Sequence, residues 1–212
     1  MPQFYSEDVA ALSKLNPVPQ EFAVAQSVLR AIPSTRHVSI SEISPPQRLA
    51  PHAVALSAEV CGTDSPTPVT QTRKGELATG RIVVLYDPHS PAEWEGQFRV
   101  VSYVRAELEA ELGHEILLGS VAWSWLTEAL ESNACDHAAL GGTTTRVLSE
   151  SFGSLAAKPS TVDLELRASW TPHFSKADAI GNHVQAWVDL LCAMGGLPPL
   201  PEDVIALPGA FR

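Results

Sequence analysis

The sequence predicts one α+β domain, in which an antiparallel sheet of five to six strands is covered by helices in the order α-β4-α-β2-α. Apolar and polar residues alternate with a period of two in several segments, most clearly over 97–109 and 162–171, as in half-buried strands. Runs of consecutive strands are separated by single helices, whereas a doubly wound parallel sheet needs strict alternation of strands and helices. These two observations together favour the antiparallel arrangement.

The N-terminal part of the chain is expected to be helical. Ser6-Glu7-Asp8 has the composition of an N-cap with acidic first-turn residues, and it predicts a short helical arm within residues 1–16. A second helix is expected over 19–32, where apolar residues recur at helical spacing. We expect a single domain over residues 17–200, followed by a C-terminal tail over 201–212.

Four strands are expected next, and they form a meander. They are predicted over 36–43, 51–60, 81–87 and 97–109. The polar segment 62–78 carries Pro66, Pro68 and Gly75, and it predicts a surface loop between the second and third strands.

The helix predicted over 117–131 is apolar on two sides. One side carries Leu118, Val121, Ala122, Trp125 and Ala129. A second stripe, roughly opposite, carries Trp123, Leu126 and Leu130. A helix of this kind lies between two layers or at a subunit interface, so we expect the second stripe to form a homodimer interface.

Two strands and one helix complete the predicted fold. A glycine turn at Gly141-Gly142 precedes a strand over 143–152, and another strand is expected over 162–170. The last helix is expected to follow the capping sequence at 175–178 and to end at Gly195-Gly196.

Composition and charge exclude several classes of function. The chain of 212 residues is 45% apolar and 18% charged, which is typical of a globular protein with a sizeable core. Its formal net charge of −10 repels phosphate groups, so we expect neither non-specific nucleic-acid binding nor docking on anionic lipid. Cys61, Cys135 and Cys192 are odd in number and form no CxxC motif, which favours a reducing compartment over a disulfide framework. The sequence shows no secretory signal and no long apolar run, so we expect a cytoplasmic protein without a membrane partner.

Four separated segments of the chain resemble a single protein family. They are FRVVSYVRAELE, WSWLTEALE, LELRASWTP and AWVDLLCAMGGLPP. In this order they are similar to an actinobacterial family known only as domain of unknown function 3000, and the resemblance extends from about the second helix to Pro199. It implies a cytoplasmic protein of that lineage, and it brings no activity, cofactor or site residue.

The predicted order of elements is also similar to the secretion-chaperone-like fold, whose members are small, acidic, dimeric protein-binding modules. The acidity and the two-sided helix fit this likeness. The extra strand and the long proline-containing loop do not, and a shared fold alone is weak support for a shared function.

The polar faces of two strands hold the most suggestive candidate site. Arg99, Arg105 and Glu107 alternate with apolar residues in one strand, and Glu165 and Arg167 do so in the other. If these strands are neighbours, the guanidinium groups suit the bidentate binding of a carboxylate or phosphate. The alternative is a set of cross-strand ion pairs on a solvated face.

Two more residues are candidate binding residues. Arg146 follows Gly141-Gly142 and three threonines, a composition that suits either an anion-binding backbone nest or a plain glycine turn before a strand. Trp94 lies in a polar stretch before the longest strand and is expected to be partly exposed, either as a binding hot spot or as a cap on the sheet.

The sequence predicts no catalytic group, metal or cofactor. Cys135-Asp136-His137 matches no zinc pattern, and a Cys–His nucleophile needs adjacency in space that this spacing does not provide, so a loop is expected there. His183 lies beside the apolar stripe of the last helix and is expected to be a flanking or buried core histidine.

These patterns lead to two alternative functions. We expect a non-enzymatic, cytoplasmic protein-interaction module that self-associates as a homodimer and acts on a protein partner. The alternative is a small-ligand or anion-binding protein, or an enzyme, that uses an arginine-lined face of the sheet.

Overall fold

The computed structural model describes residues 18–62, 76–109 and 115–197, which form three α-helices and six β-strands in the expected order. The helices are α1 (Gln20–Arg30), α2 (Leu118–Ser132) and α3 (Ile180–Met194). The strands are β1 (Val38–Ile43), β2 (His52–Cys61), β3 (Glu76–Tyr86), β4 (Phe98–Glu109), β5 (His137–Ser149) and β6 (Thr161–Pro172). The arm expected within 1–16 and the tail expected over 201–212 lie outside the described residues.

The six strands form one antiparallel sheet with the order β1-β2-β3-β4-β6-β5. β1 to β4 are the expected meander. The chain then passes through α2 to β5 at the far edge of the sheet, and it returns through β6, which pairs with both β4 and β5. The predicted α+β class and the predicted number of strands are therefore confirmed.

The three helices cover one face of the sheet. The apolar sets of neighbouring strands lie directly opposite one another, as in Val84 with Val100 and Val100 with Trp170, because the period of two is kept in register across the strands. α3 packs across β2, β3 and β4, and α1 and α2 pack on either side of it. The core therefore lies between the sheet and α3.

A glycine in the middle of β3 lets α3 approach the sheet closely. A Cβ atom added at Gly80 would lie 2.9 Å from Cδ2 of Leu191 and 3.0 Å from Cζ2 of Trp187. Both of those side chains are fully buried. The absence of a side chain at Gly80 therefore leaves room for Trp187, the largest side chain of α3.

A buried polar pair links α3 to β6. Nε1 of Trp170 donates a hydrogen bond of 3.1 Å to Nδ1 of His183, and both residues are buried. Burial, with a smaller effect of His137, lowers the pKa of His183 to about 4. The expectation of a core histidine is met, and the imidazole is neutral at ordinary pH with its proton on Nε2.

Several predicted boundaries differ from the structure. β3 begins at Glu76, so residues 76–78 of the predicted loop belong to a strand, and residues 63–75 of that loop lie outside the described residues. β5 spans Gly141-Gly142, which therefore lie inside a strand and not in a turn before it. A 3-10 turn at Ala177–Ala179 leads into α3, and no side chain caps that helix in the way that the sequence at 175–178 suggested. The two strand boundaries differ because pairing with a neighbouring strand overrides the local signal.

Adding one methyl group at Gly80 should destabilise the fold. We expect Gly80→Ala to lower the free energy of unfolding by about 1–3 kcal/mol, because the new Cβ meets side chains and backbone that are already in contact. Gly141→Ala is the matched control, since nothing lies within 4 Å of a Cβ at that strand position. Urea unfolding measures both variants, and equal midpoints for the two would contradict this account of the packing.

The buried histidine should make the protein sensitive to mild acid. The pKa of His183 lies below the usual value in the unfolded chain, so protons bind preferentially to the unfolded state as the pH falls from about 6.5 towards 4. We expect this single group to remove about 2–3 kcal/mol of stability by about pH 4.5.

His183→Gln keeps a hydrogen-bond acceptor for Trp170 but does not titrate, so it should flatten that part of the profile. Chemical denaturation at several pH values makes the comparison. An unchanged slope in His183→Gln would show that acid sensitivity has another origin.

Candidate functional site

The face of the sheet without helices carries most of the predicted site residues. β4 and β6 are neighbours, so Arg105 lies opposite Glu165 and Glu107 lies opposite Asp163. The proximity expected for these charged residues is therefore present. We call this surface the open face.

Two of the predicted arginines are paired with carboxylates on the open face. Nη2 of Arg105 lies 2.7 Å from Oδ1 of Asp163, and Nη2 of Arg167 lies 2.7 Å from Oε2 of Glu165. The guanidinium of Arg167 also stacks 5.2 Å above the ring of Tyr103, whose hydroxyl donates to Oε1 of Glu165 at 3.0 Å. Burial, reinforced by Glu165, raises the pKa of Tyr103 and keeps this hydroxyl a donor. The Arg105–Asp163 pair and the Tyr103–Glu165 bond join β4 to β6 and stabilise the register of the two strands, whereas Arg167 and Glu165 both belong to β6.

Arg99 is held by neutral acceptors. Its Nη2 donates to Oγ of Ser169 at 2.7 Å, and its Nη1 donates to Oγ1 of Thr171 at 3.1 Å and to the carbonyl of Ala139 at 3.0 Å. Ala139 has a φ of +47° in the bulge at the start of β5. Partial burial lowers the pKa of Arg99. Arg99 therefore fastens the bulged part of β5 to the sheet.

Arg146 lies on the opposite side of the sheet from the other three arginines. It is paired in register with Leu164, which faces the helices, and its guanidinium donates to the carbonyl of Glu115 just before α2. The arginines expected to act together are therefore divided between the two faces. Trp94 is half-buried in the connection before β4, where its carbonyl accepts a hydrogen bond from Thr171.

An arginine that the sequence analysis did not single out completes the open face. Arg81 of β3 is exposed and lies opposite Tyr103, which in turn lies opposite Arg167. Arg81 and Arg167 line a shallow depression of about 640 Å³ around Tyr103. The alternation of apolar and polar residues in β3 places Arg81 on the polar face of the strand. Its position beside Tyr103, however, depends on the pairing of β3 with β4.

The Cys135 thiol and the His137 imidazole are not hydrogen-bonded to each other as a Cys–His nucleophile requires. Burial, with smaller effects of Asp136 and Asp189, raises the pKa of Cys135 to about 11, so the thiol is protonated at ordinary pH. Nδ1 of His137 lies 2.8 Å from the carbonyl of Cys135. No cluster of three or more His, Cys, Asp or Glu side chains in these described residues is arranged to hold a metal ion.

The predicted interface stripe of α2 is largely internal. Leu126 and Leu130 are fully buried in the core of the chain, and Trp123 is half-buried against Gly142 of β5. Because α2 packs against both α3 and the β5 edge of the sheet, two sides of this helix are used within one chain. The exposed apolar side of α2 carries Val121 and the half-buried Trp125 instead.

A groove runs along that exposed side of α2 and has a volume of about 940 Å³. Its apolar lining comes from α2, the end of α3 and the ends of β3 and β4, and consists of Leu77, Leu108, Leu117, Leu118, Val121, Trp125, Ala129, Ala193 and Met194. Four carboxylates also line it, namely Glu107, Glu115, Glu128 and Asp189. We call this feature the acidic groove.

The edge of the sheet at β5 is the second exposed feature. Seven of the eleven large apolar side chains that are exposed among the described residues lie within 116–121 and 147–155. Arg146 brings the two stretches together through its bond to the Glu115 carbonyl. The edge patch, as we call it, consists of Ile116, Leu117, Val147, Leu148, Phe152 and Leu155.

Comparison with known proteins shows the family of this chain. No curated protein and no solved structure matches it. No helix among the residues with described structure is long and apolar enough to cross a membrane. The family model described as "Protein of unknown function (DUF3000)" matches residues 18–205, most of the chain. The protein therefore belongs to the DUF3000 family of proteins of unknown function.

Proposed function

We propose that this chain is a non-enzymatic, cytoplasmic protein-interaction module of actinobacteria that acts as a homodimer. The observation that carries the proposal is the long outer edge of β5, which no other strand of the described residues pairs with, and the exposed apolar side chains at its end. Apolar side chains gathered on a surface in this way mark sites of protein association.

β5 has the features of a strand that pairs with another chain. It is 13 residues long, it has β6 as its one neighbour in the sheet, and its sequence contains neither lysine nor proline. Protected edge strands are short or carry such residues. β1, at the other edge, has six residues, and Arg30 of α1 forms an ion pair with its Glu42. β5 is therefore the better edge for pairing.

The charge distribution supports self-pairing at this edge. A net charge of −10 repels two copies from one another at long range. β5, however, contains no acidic residue and one arginine, so the repulsion does not act at the strand itself. The three consecutive threonines Thr143 to Thr145 are β-branched and suit cross-strand pairing.

The proposed dimer joins the two sheets into one. A two-fold axis perpendicular to the sheet brings two β5 strands together antiparallel, so that both sets of helices lie on the same side. The interface expected at Trp123, Leu126 and Leu130 does not enter this arrangement, since two of those side chains are already buried. The likeness to secretion chaperones concerns element order alone and remains a prediction.

The alternative, an anion site on the open face, has one favourable observation. Arg81 is exposed beside Arg167 in a common depression. Arg105 and Arg167, however, are each within 2.7 Å of a carboxylate, and an incoming anion must compete with those groups. The contacts therefore favour a structural role for most of these charges.

A lysine at the β5 edge should separate the two copies. Wild-type protein is expected to have twice the chain mass of 22.7 kDa at micromolar concentration. We expect Val147→Lys to weaken dimerisation at least about ten-fold, because two like charges are brought into the paired strands. Light scattering coupled to size-exclusion chromatography gives the mass.

Val101→Lys is the matched control for this prediction. Val101 is 37% exposed and Val147 is 46% exposed, both lie on the open face, and Val101 belongs to the interior strand β4. This variant should remain a dimer. A monomeric wild type, or equal masses for the two variants, would overturn the proposal of pairing through β5.

A further inference from the structure

The acidic groove has the dimensions of a helix-binding site. One side of α2 from Leu118 to Ser132 forms its floor, and the 15 residues of this helix extend for about 22 Å. Val121, Trp125 and Ala129 recur at intervals of four along this floor, so they form a ridge inclined by about 26° to the helix axis. A second helix packs against such a ridge.

The walls of the groove are also apolar and belong to different elements. Leu108 comes from the end of β4, Leu77 from the start of β3, and Met194 from the end of α3. β3 and β4 are interior strands, and their pairing with each other ends at Ala78 and Ala106, so Leu77 and Leu108 lie just beyond the paired residues. A groove with apolar walls and one side of a helix as its floor suits a helical segment.

The charge of the groove specifies the chemistry of its occupant. Four carboxylates line it, and its described lining contains no lysine or arginine. The carboxylate of Asp189 is held by the amide groups of Asn133 at 2.8 Å and Gln185 at 2.9 Å, and these neutral donors leave its negative charge uncompensated. Glu107, Glu115 and Glu128 are exposed around it.

We propose that the acidic groove binds an amphipathic helix of a partner protein, with an apolar stripe towards α2 and flanking lysine or arginine side chains towards the carboxylates. This inference deepens the proposed function, since it rests on the chain being a protein-interaction module, but it does not depend on dimerisation. The apolar floor supplies binding by burial, and the carboxylates supply orientation and selectivity for a basic segment. The same charges exclude nucleic acid and anionic lipid from this site.

A designed peptide tests the proposal directly. The probe is a fluorescent helical peptide of about 15 residues, with leucines at helical spacing and lysines elsewhere. One reference peptide has the same composition in an order without helical periodicity, and another has glutamate in place of lysine. Anisotropy at about 150 mM salt, where the screening length is about 8 Å, measures binding to the full-length chain. We expect the basic amphipathic peptide to bind at least about ten-fold more tightly than either reference.

Two charge-reversal variants on the same helix locate the binding site. Glu128→Lys reverses a charge that lines the groove, whereas Glu131→Lys reverses an exposed charge on α2 that does not line it. We expect Glu128→Lys to weaken peptide binding about five-fold and Glu131→Lys to leave it within about two-fold of wild type. Val121→Asp, at an exposed position of the floor, should abolish binding while circular dichroism shows the fold intact.

Each other outcome overturns the groove proposal. Equal effects of Glu128→Lys and Glu131→Lys would show attraction by net charge alone, and equal binding of the reference peptides would remove the helical recognition. The chain's own Arg73 and Lys74 offer a competing basic segment. If Arg73→Ser with Lys74→Ser raises peptide affinity several-fold, the groove serves that segment and not a partner.

The test separates the groove from the proposed dimer. Peptide binding is measured in Val147→Lys as well as in the wild type, and the mass of each sample is recorded. Peptide binding by a wild type that proves monomeric would contradict the proposed self-association while supporting the groove. A dimer that does not bind the peptide would contradict only the proposal of helix binding in the acidic groove.

Discussion

The close packing of α3 on the centre of the sheet is the constraint on which the rest of the structure depends. Trp187 and Leu191 lie over Gly80 with no room for a further carbon atom, which fixes the height of the helix above β3. α1 and α2 then pack against α3 as well as against the sheet. The buried bond between Trp170 and His183 ties the same helix to β6. Loss of this packing would remove the shared surface on which the other helices rest.

The two faces of the sheet are stabilised by different interactions. The covered face is almost wholly apolar, so its stability comes from burial. The open face is held by ion pairs, a stacked tyrosine and the hydrogen bonds of Arg99, which set the register of β4, β6 and the bulged start of β5. The residues that suggested an anion site in the sequence therefore form ion pairs and hydrogen bonds within the sheet. The two surfaces that we propose for partners are the acidic groove at one end of the sheet and the edge patch beside β5.

The acidic groove and the edge patch meet near the start of α2, where Leu117 belongs to both. One surface is rimmed by carboxylates, and the other contains a strand without acidic residues. Under the proposed function, this difference gives one chain two kinds of recognition: side-chain packing with charge complementarity in the groove, and backbone hydrogen bonds along β5. In a chain with a net charge of −10, the placement of the carboxylates decides which surfaces attract basic segments and which tolerate a second copy.

The sequence by itself determined the elements, because strand and helix periods are local and the alternation over 98–109 and 161–172 is clear in the residues themselves. It also determined the α+β class, and it predicted His183 as a flanking or core histidine. Only the tertiary structure decided which side of α2 is exposed. Either apolar stripe could face the core, and the positions of α3 and β5 determine which one does. The same holds for Arg146, which the register of β5 with β6 turns to the helical face, away from Arg99 and Arg167. The apolar lining of the groove comes from residues between Leu77 and Met194. Contacts between residues so distant along the chain produce no periodic pattern in the sequence.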